Sequence, residues 1–258
     1  MTMSGTTTER TPIPFGIWFR MYLRLFAVQG AWNYETMLGN GIAFCTEPAL
    51  RLLPGGMKGQ RYKDAMVRQA RYFNAHPYLA GVAVGALARA ELDNVSPELI
   101  ERFRTALGGP LGSVGDRLVW ASWLPLCSLL ALGAYGLGAR PLAVIGIFLV
   151  TYNLGHFGLR AWGLRVGLER GLRVADALAH PILRRGPQYV GTVAALVAGI
   201  AIPLAAREAI GGGRFLAAEI ILLAMGGGLL LARFGGRLEG WRLSLAILAL
   251  FVLFSVIR

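Results

Sequence analysis

The stretch QGAWNYE, which begins at Gln29, gathers hydrogen-bonding side chains in a chain that is otherwise apolar. Asn33 and Glu35 can each form several hydrogen bonds, as can Gln29, while Trp32 and Tyr34 offer flat apolar faces with a polar tip. Sugars are bound by this combination, because hydroxyl groups pair with amides and carboxylates while the C–H face of the ring stacks on an aromatic ring. An interfacial aromatic belt, with amides that cap helix ends, requires the same residue types.

A second polar cluster occurs in YFNAHPYL, where Asn74 and His76 precede Pro77. The residue before a proline is pushed out of helical geometry, so the backbone opens here and exposes its own polar groups. Open backbone at membrane depth is tolerated only against protein or a polar cavity. His76 is compatible with a catalytic base, a phosphoryl acceptor or a hydrogen-bonded helix terminator, and we favour the terminator because no second motif supports chemistry.

The glycine-rich segment GGPLGSVGDRLVW runs from Gly108 to Trp120 and contains Asp116. It lacks the GK[ST] ending of a P-loop, so it does not predict a phosphate cradle. Its glycines permit a tight turn and close helix contact, and Asp116 can cap the helix that follows. Asp116 is therefore predicted to be either a structural cap or a polar pocket residue.

Glu47, Glu91 and Glu219 lie in or beside apolar sequence, where an ionisable group needs a partner or a water-filled cavity. Together with His76 and Asp116, Glu47 and Glu91 are candidate catalytic groups of a membrane-embedded enzyme acting on lipid-linked or sugar-phosphate substrates. Such an enzyme requires two titratable groups that converge in one cavity.

These residues are carried by a chain whose composition is that of a membrane protein. Of its 258 residues, 55% are hydrophobic and 16% are charged, and the mean hydropathy is +0.53. The net charge is +12, but the basic residues are scattered between apolar runs, which argues against nucleic-acid binding. Cys45 and Cys127 lie in apolar surroundings without CxxC spacing, so neither a metal site nor a disulfide is predicted, and no cofactor is indicated.

The fold class predicted is an all-α integral membrane protein, in which about five transmembrane or re-entrant helices follow an amphipathic, partially inserted N-terminal region. Each apolar stretch approaches the ~20 residues that cross a bilayer as a helix. The five stretches are 118–137, 141–158, 189–206, 215–232 and 241–257. Pro125, Pro203 and the glycine run 226–228 are potential breaks, so the count carries an uncertainty of one or two.

We divide the chain into a flexible cytoplasmic tail (1–14), an amphipathic helical region (15–117) and a transmembrane region (118–258). The tail lacks the apolar core and cleavage site of a signal peptide. Aromatic and leucine side chains from Phe15 to Phe26 recur at three- and four-residue steps, as in an interfacial helix. Ser96, followed by proline and glutamate, predicts an N-cap that starts a helix extending to about Leu107.

Basic residues in the loops predict the orientation, because Lys and Arg collect on the cytoplasmic side. The loop between the second and third apolar stretches is rich in arginine, whereas the turn before the second stretch holds Arg140 alone. The N-terminal half is therefore expected to be cytoplasmic.

Five segments occur in the order and rough spacing of a known family: QGAWNYE, GIAFCTEPALRLL, YFNAHPYLAGVAVGAL, GGPLGSVGDRLVW and YNLGHFGLRAWGLRVGLERG. From residue 15 to residue 258 the chain resembles the IID component of the mannose/fructose/sorbose family of the bacterial phosphotransferase system. The family pattern has Q-G-S-W-N-[FY]-E, F-F-N-T-x-P and G-P-L-x-G-x-G-D segments. His156 stands near a position that is often basic in the family, and Glu47 stands where an apolar residue is expected.

The resemblance implies an inner-membrane subunit that pairs with a IIC protein to conduct mannose-type hexoses, in related systems as a trimer of such pairs. Phosphate would reach the sugar from separate IIA and IIB proteins, so the subunit itself would not be an enzyme. Gln29, Trp32, Asn33 and Glu35 would contact sugar or the partner, Asn74 and His76 would hold open backbone near the path, and Asp116 would fix a turn. A regulatory or assembly subunit of a degenerate phosphotransferase system is the alternative.

Overall fold

The computed structural model describes residues 10–178 and 181–210, which are mostly helical. Within these ranges the backbone forms no sheet, and only isolated bridges join Met37 to Asn33 and to Phe73. The all-α prediction is confirmed. The helices are α1 (Phe15–Arg24), α2 (Gly39–Leu50), α3 (Gln60–Gln69), α4 (Ala80–Leu92), α5 (Pro97–Gly115), α6 (Leu124–Gly136), α7 (Pro141–Arg170), α8 (Ala175–Leu178) and α9 (Pro181–Ile210).

Helix α1 has the amphipathic character that its sequence predicts. Met21 is buried against the rest of the chain, and Trp18 and Tyr22 pack beside it with stacked rings. Phe15, Phe19 and Leu23 face outward and are exposed. A surface helix with apolar side chains on its outer face is suited to an apolar environment such as the edge of a bilayer.

Helix α4 forms the centre of the described fold, since its residues 80–91 are all buried. It packs against α7 through two glycine pairs, Gly81 and Gly85 on α4 and Gly163 and Gly167 on α7. A methyl group on Gly167 would meet the backbone of Val82 and lie 2.7 Å from the nitrogen of Ala86. Small residues at four-residue spacing let two helix backbones approach closely, as in packed membrane helices.

Residues 97–136 form one continuous helical stretch that includes the whole glycine-rich segment. Ser96 caps its start, since its hydroxyl accepts the N–H of Leu99 at 3.4 Å, as the sequence predicts. The turn expected in the glycine-rich segment is absent, so that prediction is wrong. Asp116–Trp123 is instead a π-helical segment between α5 and α6, and the proposed boundary at residue 117 lies inside it.

Three helical stretches in the described ranges are long and apolar enough to cross a membrane: Pro97–Gly136, Pro141–Val174 and Arg185–Ala209. The predicted stretches 118–137, 141–158 and 189–206 fall within or next to them. Pro203 lies inside α9 without ending it. The predicted stretches 215–232 and 241–257, together with Glu219 and the glycine run 226–228, lie outside the described residues, as do residues 1–9 of the tail.

Candidate functional site

The loop between α1 and α2 contains the polar segment QGAWNYE, and most of its side chains are exposed. Tyr34 is 83% exposed and packs edge-on against Trp32, with ring centroids 4.9 Å apart. Gln29 and Glu35 are also exposed. The loop therefore presents two aromatic faces and two hydrogen-bonding groups on the surface of the chain.

Asn33 is used differently, because its amide is bonded within the loop. Its Oδ1 accepts the backbone N–H groups of Glu35 at 2.9 Å and of Thr36 at 2.8 Å, and its Nδ2 donates to the Thr36 hydroxyl at 2.9 Å. A side chain that bonds backbone two and three residues ahead fixes a turn. Asn33 thus sets the shape of the loop that holds Trp32 and Tyr34.

A second loop, residues 70–79, lies directly against the first. The N–H of Leu38 donates to the carbonyl of Phe73 at 2.9 Å, and the N–H of Phe73 donates to the carbonyl of Thr36 at 3.1 Å. Asn74, the next residue, is exposed, and its carbonyl lies close to Gly108 of α5. The structure therefore brings the two polar clusters of the sequence together through backbone pairing.

Arg104 of α5 holds the second loop in place and was not identified from the sequence. Its buried guanidinium donates to the carbonyls of Arg71 and Tyr72 and, at 3.0 Å, to Oε1 of Gln69. Ring stacking adds to this, since the guanidinium lies 5.2 Å from the centroid of Phe73. The signal was its spacing, because Ile100, Arg104, Leu107 and Leu111 share one buried helix face.

His76, in the second loop, is buried, with 2% of its surface exposed, and its ring packs against Gly115 and against Trp120 of the π-helical segment. Its Nδ1 accepts the N–H of Tyr78 at 3.2 Å, and its carbonyl accepts the N–H of Leu79 just before α4. Its Nε2 has no hydrogen-bond partner among the described residues. Burial lowers the pKa of His76 to about 4, although the nearby Asp116 carboxylate opposes this shift, so the ring is neutral at physiological pH.

Asp116 is exposed and lies at the start of the π-helical segment. Because the residue before it is already helical, Asp116 neither caps a new helix nor fixes a turn, and that expectation is wrong. Its position one residue after Gly115 places it beside the His76 ring, which packs on Gly115 so closely that a Cβ there would overlap it. Asp116 is therefore a polar residue on the surface that covers His76.

Arg160 and the rings of Tyr78, Tyr152 and His156 form a cluster next to His76. Of these four residues, only His156 was singled out from the sequence. Arg160 is buried and donates from Nε to Nε2 of His156 at 2.7 Å and from Nη1 to the carbonyl of Leu25. The ring of Tyr78 stacks on His156 with centroids 4.3 Å apart, and its hydroxyl lies 2.7 Å from that of Tyr152. The cluster joins α7 to the loop that contains His76.

Glu47 and Glu91 do not converge with His76. Glu47 binds Arg24 at 2.7 Å, Arg51 and the hydroxyl of Tyr62, and Glu91 receives two bonds from Arg68 and one from Gln69, so each carboxylate is neutralised within its own cluster. Burial opposes ionisation of Glu47, but the hydrogen bonds outweigh it and lower its pKa. Neither glutamate therefore forms with His76 the convergent titratable pair that the enzyme hypothesis requires.

The described residues contain no group of three or more His, Cys, Asp or Glu side chains able to hold a metal ion. Cys45 and Cys127 are both buried. The chemistry that the site offers is therefore hydrogen bonding and aromatic stacking: exposed rings and polar groups on the paired loops, and a neutral histidine behind them.

Comparison with known proteins shows which family the chain is similar to. The sequence model of the EIID-AGA family, described as the PTS system mannose/fructose/sorbose family IID component, matches residues 17–202. The mannose-specific EIID component of Escherichia coli K12 is 28% identical over 70% of this chain and 64% of that protein. The sorbose-specific EIID component of Klebsiella pneumoniae is 28% identical over 75% of this chain and 71% of that protein. The chain thus spans less than two thirds of the length of the mannose relative.

Two solved structures share the fold. The mannose transporter ManYZ in complex with microcin E492 gives a TM-score of 0.55 at 25% identity, covering 73% of this chain and 69% of that chain. A structure described as a membrane protein gives a TM-score of 0.63 at 25% identity, covering 73% and 70%. Because the family match spans most of the chain and includes both paired loops, the chain belongs to the IID component family of the mannose/fructose/sorbose phosphotransferase systems.

Proposed function

We propose that this chain is the IID subunit of a sugar phosphotransferase permease and that it forms the sugar-translocating unit together with a IIC membrane protein. The substrates would be mannose-type hexoses, and separate IIA and IIB proteins would phosphorylate them. The unit would be a trimer of such heterodimers in the cytoplasmic membrane of a bacterium, with the N-terminus of this subunit in the cytoplasm. Family membership supports the transport role of the chain.

The observation that carries the proposal is the pairing of the two polar loops. Both are rigid, because Asn33 fixes the first and Arg104 fixes the second, yet Trp32, Tyr34 and Asn74 remain exposed. Exposed groups on such rigid loops lose little conformational entropy when a ligand or partner binds to them. Gln29, Trp32, Glu35 and Asn74 are accordingly proposed to contact sugar or the IIC subunit.

The direct test is co-expression with the IIC protein, purification of the pair and titration with a panel of hexoses. Saturable binding of at least one hexose by the pair, and not by either subunit alone, is the expected result. A pair that assembles but binds no hexose would reject the transport role and favour the regulatory or assembly alternative.

A matched pair of Asn33 variants tests whether the shape of the first loop matters for transport. Asn33→Ala removes the two hydrogen bonds to backbone N–H groups that shape the loop, so uptake should fall at least about tenfold while assembly with IIC survives. Asn33→Asp keeps both backbone bonds, because a carboxylate oxygen accepts the same N–H groups, and should retain most of the uptake. Wild-type uptake in Asn33→Ala would remove the loop from the sugar path.

A further inference from the structure

The imidazole of His76 carries an unused hydrogen-bond donor. Because Nδ1 accepts the N–H of Tyr78, the proton of the neutral ring is on Nε2. That N–H is buried and bonds to no described residue. A buried donor without a partner is energetically unfavourable, so a ligand or partner is expected to supply the acceptor for this N–H.

The side chains around this ring indicate what kind of acceptor it is. Trp120 lies on the π-helical segment with its ring centroid 5.2 Å from that of His76 and is 45% exposed. Asp116, on the same segment, is exposed and acts electrostatically on His76. A flat aromatic face, a carboxylate acceptor and a neutral N–H donor together match a polyol, whose C–H face stacks while its hydroxyl groups both donate and accept.

The charges around His76 argue against an anionic ligand. Asp116 would repel a phosphate group, and the nearby Arg160 is already engaged by Leu25 and His156. The ring itself is neutral, so it contributes no positive charge. An uncharged sugar hydroxyl fits these surroundings, whereas a sugar phosphate does not.

The π-helical segment covers the buried ring of His76. Trp120 and Asp116 both lie on Asp116–Trp123, and the segment packs over His76. Segments with the wider π-helical turn often lie at functional sites. A change of register within this segment would shift Trp120 and uncover Nε2 without breaking the long helix.

From these contacts we propose that Nε2–H of His76 donates a hydrogen bond to a hydroxyl group of the sugar, with Trp120 stacking on the ring and Asp116 accepting from a second hydroxyl. This assignment rests on the proposed transport function and names the groups by which it selects a neutral hexose. His76 is then a binding residue and not only the residue that ends the open backbone before α4.

Two substitutions of His76 distinguish a role in binding from a role in structure, because each keeps a hydrogen-bonding group at only one of the two ring-nitrogen positions. Asparagine places its amide near Nδ1, so His76→Asn can keep the bond to Tyr78 and loses the donor. Glutamine reaches the position of Nε2, so His76→Gln keeps the donor and loses the bond to Tyr78. With the purified IIC pair, His76→Asn should weaken hexose binding roughly tenfold and His76→Gln should bind within about threefold of wild type.

Weaker hexose binding by His76→Gln than by His76→Asn, or an equal loss of affinity in both variants, would show a structural role and overturn the assignment. Wild-type binding by His76→Asn would also overturn it. Co-purification with IIC and thermal unfolding of each pair show whether the variants are folded. If the wild-type pair binds no hexose, the proposed function and the assignment of His76 both fall. If it binds hexose and only the predicted order of the variants fails, the proposed function stands without His76.

Substitution of Trp120 gives a second test by hexose binding, and Trp123, three residues further along the same segment, is the control. Trp120→Leu should weaken hexose binding because the stacking face is lost, whereas Trp120→Phe should retain part of the affinity. Trp123 packs its indole against Gly155 and points its N–H at the carbonyl of Tyr152, so Trp123→Phe should leave binding unchanged. Unchanged binding in Trp120→Leu would overturn the stacking role.

Discussion

The two halves of helix α7 lie in different surroundings although they belong to one continuous helix. The first half, from Pro141, presents Leu142, Ile145, Leu149 and Leu154 to the outside and has no buried residue. The second half buries Arg160, Gly163, Leu164 and Gly167 against α4 and the loops. The first half is suited to lipid or a partner helix, whereas the second belongs to a packed protein core.

This contrast shows that apolar composition alone does not locate the membrane-facing surface. Both halves are rich in leucine and glycine, but only the second carries glycines spaced four residues apart opposite a matching pair on α4. Close backbone contact replaces lipid contact where the residues are small. Substitutions that distinguish backbone contact from lipid contact therefore test the comparison.

The largest effect is expected at Gly167. In Gly167→Ala the new methyl group would overlap the Val82 carbonyl and lie 2.9 Å from Cα of Gly85, so α4 and α7 must separate. We expect most of the folded protein to be lost, measured by thermal unfolding and by recovery after purification. Gly158→Ala on the same helix is the control, because nothing lies within 4 Å of its added carbon, and it should unfold like wild type.

Equal stability of the two glycine variants would contradict close packing of the second half of α7 against α4.

The next largest effect is expected for two leucine side chains on the same helix. Leu164 is fully buried, so Leu164→Ala should lower the free energy of unfolding by about 3 kcal/mol through lost contacts and a cavity. Leu149→Ala should change it by less than about 0.5 kcal/mol in detergent, because Leu149 is half exposed.

The smallest expected effect is the difference in unfolding free energy between removing a buried ion pair and removing an exposed one. Glu47→Gln leaves Arg24 and Arg51 without their carboxylate and should lower the free energy of unfolding by about 2 kcal/mol. Glu169→Gln removes the exposed pair with Arg165 and should cost less than about 0.5 kcal/mol. If both substitutions cost the same, the Glu47 cluster makes no special contribution.

The Glu47 pair also has a defined pH dependence. The pKa of the Glu47 carboxyl in the folded chain lies below the ordinary value of 4.5, so this carboxyl binds a proton first in the unfolded chain as the pH falls. The stabilisation is therefore complete above that ordinary value and is lost as the pH falls through the folded pKa. The difference between wild type and Glu47→Gln should shrink over this acidic range and stay constant from pH 6 to pH 8.

Local patterns in the sequence were sufficient to predict several elements. The three- and four-residue spacing of aromatic side chains predicted α1, the Ser96 cap placed the start of α5, and apolar length located the described spans. Each of these features depends on residues close together in the chain. The contact between the two polar loops was not predicted, because backbone pairing between Thr36 and Phe73 leaves no signal in side-chain type.

The glycine-rich segment shows where such reasoning fails. Glycine favours a turn in water, but a helix in apolar surroundings keeps its backbone bonds because no water replaces them. Here Gly108 and Gly115 serve as contact points for Asn74 and His76, and the helix continues. The role of Arg160 was also beyond the sequence, since its partners Leu25 and His156 lie on separate elements.

The continuous helix from Pro97 to Gly136 has 40 residues and so measures about 60 Å, twice the ~30 Å of a hydrocarbon layer. A rod of that length must extend well beyond the lipid even when it is tilted. A rigid tilt of about 5° about one end would move the other end by roughly 5 Å. Movement of the Ser96 end would therefore also move the apolar part of the helix.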